Sequence, residues 1–298
     1  QNEQDTRRYA HFARLPCLDP SSIQEAHDMA RDAFALSEEF GLPVILRPTT
    51  RICHSKGDVN LGEVGTEHRT ATFHRNPQQY VVIPAHTRPL HKALNAKQPA
   101  IRQRLSELGY NRCTVRGRTA VITGGVSAAY VQEVLGDDVS LAIIGAYPID
   151  EDWLREFVDR HNKVLVVEEL DPVIEEVVRR VATKTDVYGK MNGTVPYEGE
   201  FTPATVVDAL AAAGMTASTT FPAVNPVPGV PPRPPILCAG CMHRSTFYAM
   251  RRVFRDGIFP SDIGCYTLGL QLGAVDTTIC MGASITVGSG IARSGEKR

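Results

Sequence analysis

Thr119-Ala120-Val121-Ile122-Thr123-Gly124-Gly125-Val126-Ser127 opens the part of the chain whose reading decides the fold. Ala120-Val121-Ile122 is apolar without alternation, which suits a strand covered on both faces of a parallel sheet. Thr123 to Ser127 is a tight turn and Ala128 to Leu135 a helix. The pattern then repeats: a strand from Val139 to Ile144, a helix from Trp153 to His161, a strand from Lys163 to Val167. Asp171-Pro172 opens another helix, with Asp in the capping position and Pro at the first helical one. Strands alternating with helices predict an α/β chain built on parallel sheets. Gly124-Gly125 stands where a phosphate loop could stand, but a plain tight turn explains the pair as well.

Upstream, Ser22 and Glu25 fit a capping box for a helix that Gly41 ends. Residues 42–46 follow as a short buried strand, and Arg47-Pro48-Thr49-Thr50-Arg51 lies at its carboxyl end, where open α/β sheets place ligands. From about Gly62 to Arg118 polar residues and His68, His74, His86 and His91 are scattered among turn signals, and this stretch reads as a connecting segment. Downstream, seven prolines between Phe221 and Pro235 make a stiff, extended linker and the best domain boundary.

Composition narrows the class. The chain of 298 residues has 43% hydrophobic and 22% charged residues and a net charge of −1. That balance favours neither nucleic acid nor an anionic membrane surface. No apolar run approaches the ~20 residues of a membrane span. Seven cysteines, an odd number, do not read as a disulfide framework, which points to a reducing cytoplasm. A start on Gln1 inside a charged stretch, and a close at Gly295-Glu296-Lys297-Arg298 where a helix is finishing, read as a piece of a longer polypeptide.

Two local signals carry chemistry. Cys238-Ala239-Gly240-Cys241-Met242-His243-Arg244 presents two thiols on one turn, and Asp262-Ile263-Gly264-Cys265 supplies a third. Such a set suits an iron–sulfur cluster or zinc, with Cys280 or a residue outside the chain as fourth ligand. Structural or redox thiols beside a glycine turn are the alternative. The second signal is glycine-rich: Gly264-Cys265-Tyr266-Thr267-Leu268-Gly269, then Cys280-Met281-Gly282-Ala283-Ser284, then Gly288 and Gly290. Glycines let backbone approach a ligand, and a helix starting after them points free N–H groups at phosphate. Close packing of a buried helix would use the same residues.

The order of these motifs resembles the diphosphate-binding domain of indolepyruvate ferredoxin oxidoreductases. Gln1-Asn2-Glu3-Gln4-Asp5-Thr6-Arg7-Arg8-Tyr9-Ala10 and Leu46-Arg47-Pro48-Thr49-Thr50-Arg51-Ile52-Cys53-His54 look like the end of that family's pyrimidine-binding domain. Val121-Ile122-Thr123-Gly124-Gly125-Val126-Ser127 resembles the opening of its transketolase-C-terminal-like domain. The resemblance implies several thiamine-diphosphate-enzyme domains, the first and last incomplete. Residues 1–61 would end the pyrimidine-binding-type domain, 62–118 connect, and 119–215 form the transketolase-like domain. Residues 216–235 would be the linker and 236–298 the start of the diphosphate-binding domain.

It further implies thiamine diphosphate with Mg2+, [4Fe-4S] clusters, coenzyme A and an aryl-pyruvate substrate. The implied partners are a small beta subunit and ferredoxin. Cofactor contacts would fall on Gly240, Cys241, His243, Asp262, Gly264, Cys265, Tyr266, Gly282, Ala283 and Ser284, and cluster ligation on Cys238, Cys241 and Cys265. Arg7 resembles the arginine that meets the substrate carboxylate in related pyruvate enzymes; a surface arginine is the alternative. The Gly-Asp motif that holds Mg2+ is expected after Arg298, since neither Gly57-Asp58 nor Gly136-Asp137 follows the glycine-rich segment. The acid that activates the aminopyrimidine is expected before Gln1. Two rivals stand beside this reading: a non-oxidative thiamine-diphosphate decarboxylase or synthase, and a zinc-stabilised binding module.

Overall fold

A computed structural model describes residues 4–62, 73–222 and 227–296. Gln1-Asn2-Glu3, the segment 63–72 with His68, residues 223–226 of the proline stretch, and Lys297-Arg298 lie outside the described residues. The chain divides into two compact units, with the boundary between Pro222 and Ala223, inside the proline-rich stretch.

The first unit is organised by a five-stranded sheet. Its strands are β3 (Arg112–Thr114), β4 (Thr119–Gly124), β5 (Val139–Ile144), β7 (Lys163–Val167) and β8 (Asp186–Tyr188), in the order β3-β5-β4-β7-β8. β4 pairs in parallel with β5 and β7, β7 pairs in parallel with β8, and β3 is an antiparallel edge. The connecting helices explain the unbroken apolar runs. α7 (Glu151–Asp159) and α8 (Val173–Val181) bury Leu154, Phe157, Ile174 and Val178 with Ala120 and Ile122. α6 (Ser127–Val134) and α9 (Pro203–Ala212) bury Val131, Val134, Val206 and Leu210 with Val121 and Leu165. Successive residues of β4 therefore enter opposite cores, each full burial contributing roughly 1.5–3 kcal/mol. The chain leaves β4 for β5 on one side and returns to β7 on the other, which puts a switch point at the carboxyl ends of these strands.

A second, three-stranded sheet joins residues distant in sequence. β1 (Cys17–Leu18) pairs in parallel with β2 (Ile45–Leu46) and antiparallel with β6 (Ala146–Tyr147). α1 (Thr6–Ala13) precedes it, and α2 (Ile23–Phe40) and α5 (Pro84–Glu107) pack Met29, Leu36, Ile101 and Leu105 against Leu18 and Ala146. Short helices α3 (Thr50–His54) and α4 (Pro77–Tyr80) complete the unit.

Several expectations need correction here. The connecting segment contains a 24-residue helix, α5. Pro89 and Pro99 inside it each delete a backbone donor, which is why its sequence reads as broken. Of residues 42–46 only Ile45-Leu46 is strand, and it is half-buried. Ser22 caps α2 as expected, but Glu25 bonds the backbone and hydroxyl of Ser21. α8 starts at Val173, and Asp171 does not cap it: the Asp171 carboxylate pairs with Arg8, and Glu168 accepts the Ile174 and Glu175 N–H groups.

The second unit holds α10 (Met242–Val253), β9 (Pro260–Ser261), a 3-10 helix (Cys265–Leu272), β10 (Thr277–Thr278) and α11 (Ala283–Arg293). Its core is small: Leu237, Phe247, Ala274 and Val275. Gly269 is required where the 3-10 helix crosses α10, because a Cβ there would stand 2.7 Å from the Phe247 ring.

Candidate functional site

β9 and β10 run in parallel, with Pro260 opposite Thr277, so their carboxyl ends lie side by side. A glycine segment follows each strand. After β9 come Asp262 and Gly264, whose φ of +105° admits glycine readily; after β10 comes Gly282, at +86°, immediately before α11. Asp262 ties the two segments together. Its carboxylate accepts the Ser284 N–H at 2.8 Å and also bonds the Gly282 backbone and the Ser284 hydroxyl. These donors, led by the Ser284 N–H, hold the Asp262 carboxyl below its ordinary range. No Cβ at Gly264 or Gly282 would meet an atom within 4 Å, so both backbones face open space.

The cysteine turn approaches the same loops. Gly240 at φ +72° lets the Cys241 N–H reach the Cys238 carbonyl at 3.2 Å, and Cys241 then begins α10. His243 Nδ1 lies 3.2 Å from Cys241 Sγ, and the His243 ring meets the Tyr266 ring edge-on at 4.9 Å. Arg244 is turned back on the loop, donating to the carbonyls of Cys238 and Leu237. The structure thus joins Cys241 to His243 and His243 to Tyr266, and separately joins Asp262 to Gly282 and Ser284. It does not gather Cys238, Cys241 and Cys265 as ligands: among the described residues no group of three His, Cys, Asp or Glu side chains could hold a metal ion. All seven cysteines are free thiols.

Arg7 lies in a buried ion-pair network. It is 2% exposed, so the surface alternative fails. Its guanidinium donates to Asp5, to Glu168 at 2.8 Å, to Tyr147 at 3.3 Å, and to the carbonyls of Glu169 and Asp171 at 3.0 Å. Those partners occupy all five N–H donors, leaving none for a substrate carboxylate. Burial and the Arg7 pair act in opposite directions on Glu168, and burial prevails, raising its carboxyl above the usual range. Beside it, Arg47 holds the fully buried Asp19 at 2.9 Å. Sequence reading missed this group; its one signal was the acidic pair Glu168-Glu169 closing an apolar strand.

Gly124-Gly125 is explained by packing. A Cβ on Gly124 would stand 2.7 Å from the Ile144 carbonyl, and Gly125, at φ +55°, lies against the Asp19 carboxylate. Among the described residues no helix is long and apolar enough to cross a membrane.

No family model matches the chain. An indolepyruvate oxidoreductase subunit IorA from Archaeoglobus fulgidus is 41% identical over 98% of this chain and 49% of its own length. The same subunit from Thermococcus kodakarensis is 41% identical over 98% of this chain and 48% of its own. That from Methanothermobacter thermautotrophicus is 38% identical over 100% and 51%. Among solved structures, a 2-oxoglutarate:ferredoxin oxidoreductase from Magnetococcus marinus aligns at TM-score 0.42 and 16% identity, over 66% of this chain and 41% of that one. That likeness is too slight to bear an inference. The chain spans about half the length of the curated relatives it matches. Over that shared half, it is similar throughout to the indolepyruvate oxidoreductase subunit IorA.

Proposed function

We propose that this chain is part of the large subunit of an enzyme that oxidatively decarboxylates aryl-pyruvates such as indolepyruvate. The products are aryl-acetyl-CoA and CO2, with the electrons passed to ferredoxin. The observation that supports this best is the joining of the Gly264 and Gly282 segments by Asp262, at the carboxyl ends of two parallel strands. That is where open α/β sheets bind ligands, and α11 begins there.

The groups at this place suit a diphosphate in kind. Tyr266 offers a hydroxyl, His243 an imidazole beside Tyr266, and Gly264 an accessible backbone. When bound, thiamine diphosphate supplies the carbon nucleophile that adds to the 2-oxo group and the ring that takes up electrons as CO2 leaves. Asp262 acts as a positioning residue: it holds the Ser284 N–H in the first turn of α11 and fixes the Gly282 segment against the Gly264 segment. The small beta subunit, coenzyme A, ferredoxin and a cytoplasmic setting complete the proposal. Mg2+ belongs to it, but no ligand for Mg2+ is assigned within this chain. The three cysteines do not fit a cluster in their present arrangement, so no electron-transfer step is routed through them. The same arrangement weighs against the zinc-stabilised module. The oxidoreductase relatives weigh against a non-oxidative decarboxylase.

Calorimetric titration of the full-length subunit with thiamine diphosphate and Mg2+ tests this reading. Saturable binding is expected, and Asp262→Ala should weaken it at least tenfold, which is about 1.4 kcal/mol. No heat of binding with magnesium present would remove the central claim. Indolepyruvate-dependent reduction of ferredoxin by the complete enzyme checks the reaction itself.

A further inference from the structure

A cavity of about 630 Å³ lies in the first unit between α1, α5, α8 and the loop after β6. Its volume falls within the ~300–1,000 Å³ of small-molecule sites. Its chemistry is divided. Ala10 and Ile149, both buried, form an apolar floor with Leu15, Val173 and Val177. The rim is cationic. Two of its arginines are neutralised: Arg8 by Glu176 at 2.6 Å and Asp171 at 3.1 Å, and Arg180 by Glu151 at 2.7 Å.

Arg14 and Arg102 are also at the rim; Arg102 acts on Glu151, whose carboxyl is held below its usual range first by the Arg180 hydrogen bond and further by the Arg102 charge. The Arg14 guanidinium donates to the neutral amide oxygen of Asn95 at 2.5 Å. His11 adds an imidazole to the same cavity. Phe12 stands at the rim 88% exposed, an aromatic ring left in water on the cavity that Arg14 and Arg102 also line.

We infer that this cavity binds a small organic anion, a phosphate or carboxylate carried on a planar apolar body. Arg14 and Arg102 would take the anionic oxygens, in the forked geometry guanidinium offers both phosphate and carboxylate. The floor of Ala10, Ile149 and Val177 would take the apolar body, and the Phe12 ring would cover it. The site is built entirely from residues 7–180 and needs no thiamine chemistry, so its failure would leave the proposed function untouched.

Calorimetry on the intact chain, with phenyl phosphate, phenylacetate and inorganic phosphate as probes, tests the inference. At least one aryl anion should saturate, and bind at least tenfold more tightly than inorganic phosphate. Tighter phenyl phosphate assigns a phosphate ester; tighter phenylacetate assigns a carboxylate. The paired substitution Arg14→Asn and Arg102→Gln should lower that affinity at least tenfold, with an unchanged far-ultraviolet circular dichroism spectrum. Asn suits position 14 because its φ of +58° lies in the left-handed region. Phe12→Ala should weaken the aryl anion and leave inorganic phosphate as it was. Saturation by neither aryl anion, equal binding of inorganic phosphate, or full affinity in the paired variant would overturn the assignment.

Discussion

Arg7 and Glu168 are 161 positions apart in the chain, yet both are buried and paired, and Arg7 pairs with the buried Asp5 as well. Removing Arg7 would leave Glu168 a charge without its pair in a dry interior, at about 3–5 kcal/mol. Arg7→Ala should therefore lower the unfolding free energy by about that amount, read from urea denaturation, and Glu168→Ala by less, because Asp5 still pairs with Arg7. Glu168→Gln keeps the shape and one acceptor, and should lose less. A KM effect for an aryl-pyruvate without loss of stability would instead return Arg7 to the substrate. His161 gives a pH prediction. Its Nδ1 donates to the Phe157 carbonyl at 2.7 Å, its Nε2 is buried without a partner, and burial pushes its pKa below the ordinary 6.5. Below pH 6.5 the unfolded chain takes up this proton while the folded chain resists it, so stability falls as pH drops toward the folded value. His161→Gln should flatten the slope of stability between pH 7 and pH 5. A slope identical to that of the parent chain would show that other groups set it.

Elements differ in how legible they were. β4, β5 and β7 could be read because both faces of each are buried, so apolar residues dominate each run, with Ser140 the one polar residue inside β5. β1, β2 and β6 are two residues each, and their identity lies in long-range pairing such as Cys17 opposite Tyr147. No local pattern encodes that. α5 was hidden by its two internal prolines, and its burial is confined to Ile101 and Leu105. In the candidate site, the glycine segments and Asp262 were legible as motifs, because positive φ restricts residue choice. The ligand set of three cysteines was not, because spacing along a chain leaves side-chain convergence open. The turn after β4 supplies a test at this scale. Gly124→Ala would press a methyl group on the Ile144 carbonyl at 2.7 Å and the Ile174 side chain at 2.9 Å. Overpacking of this kind costs typically 1–3 kcal/mol. Denaturation of Gly124→Ala should show about that loss, and a neutral effect would mean that β4 and β5 part easily.

Burial is unevenly divided over the whole molecule. The first unit has three clusters of buried apolar residues, two of them on opposite faces of one sheet. The second relies on Leu237, Phe247, Ala274 and Val275. Its helices leave Met242, Tyr248, Val253 and Ile285 largely exposed, and its strands are two residues long. Local opening costs least where few apolar groups are buried and few backbone bonds are shielded. The two units should therefore not open together. Hydrogen exchange followed by mass spectrometry on the intact chain should show α10 and α11 exchanging well before β4, β5 and β7, with an intermediate rate in α5, whose prolines weaken it. Low urea should widen the gap, because it lowers the free energy of the weaker unit first. Thiamine diphosphate with Mg2+, if it binds the loops joined by Asp262, should slow exchange in peptides covering residues 262–286 and leave β4 unchanged, since a ligand protects the state it binds. Protection of α10 and α11 equal to that of β4 without ligand would mean that the small core closes more firmly than its buried residues imply.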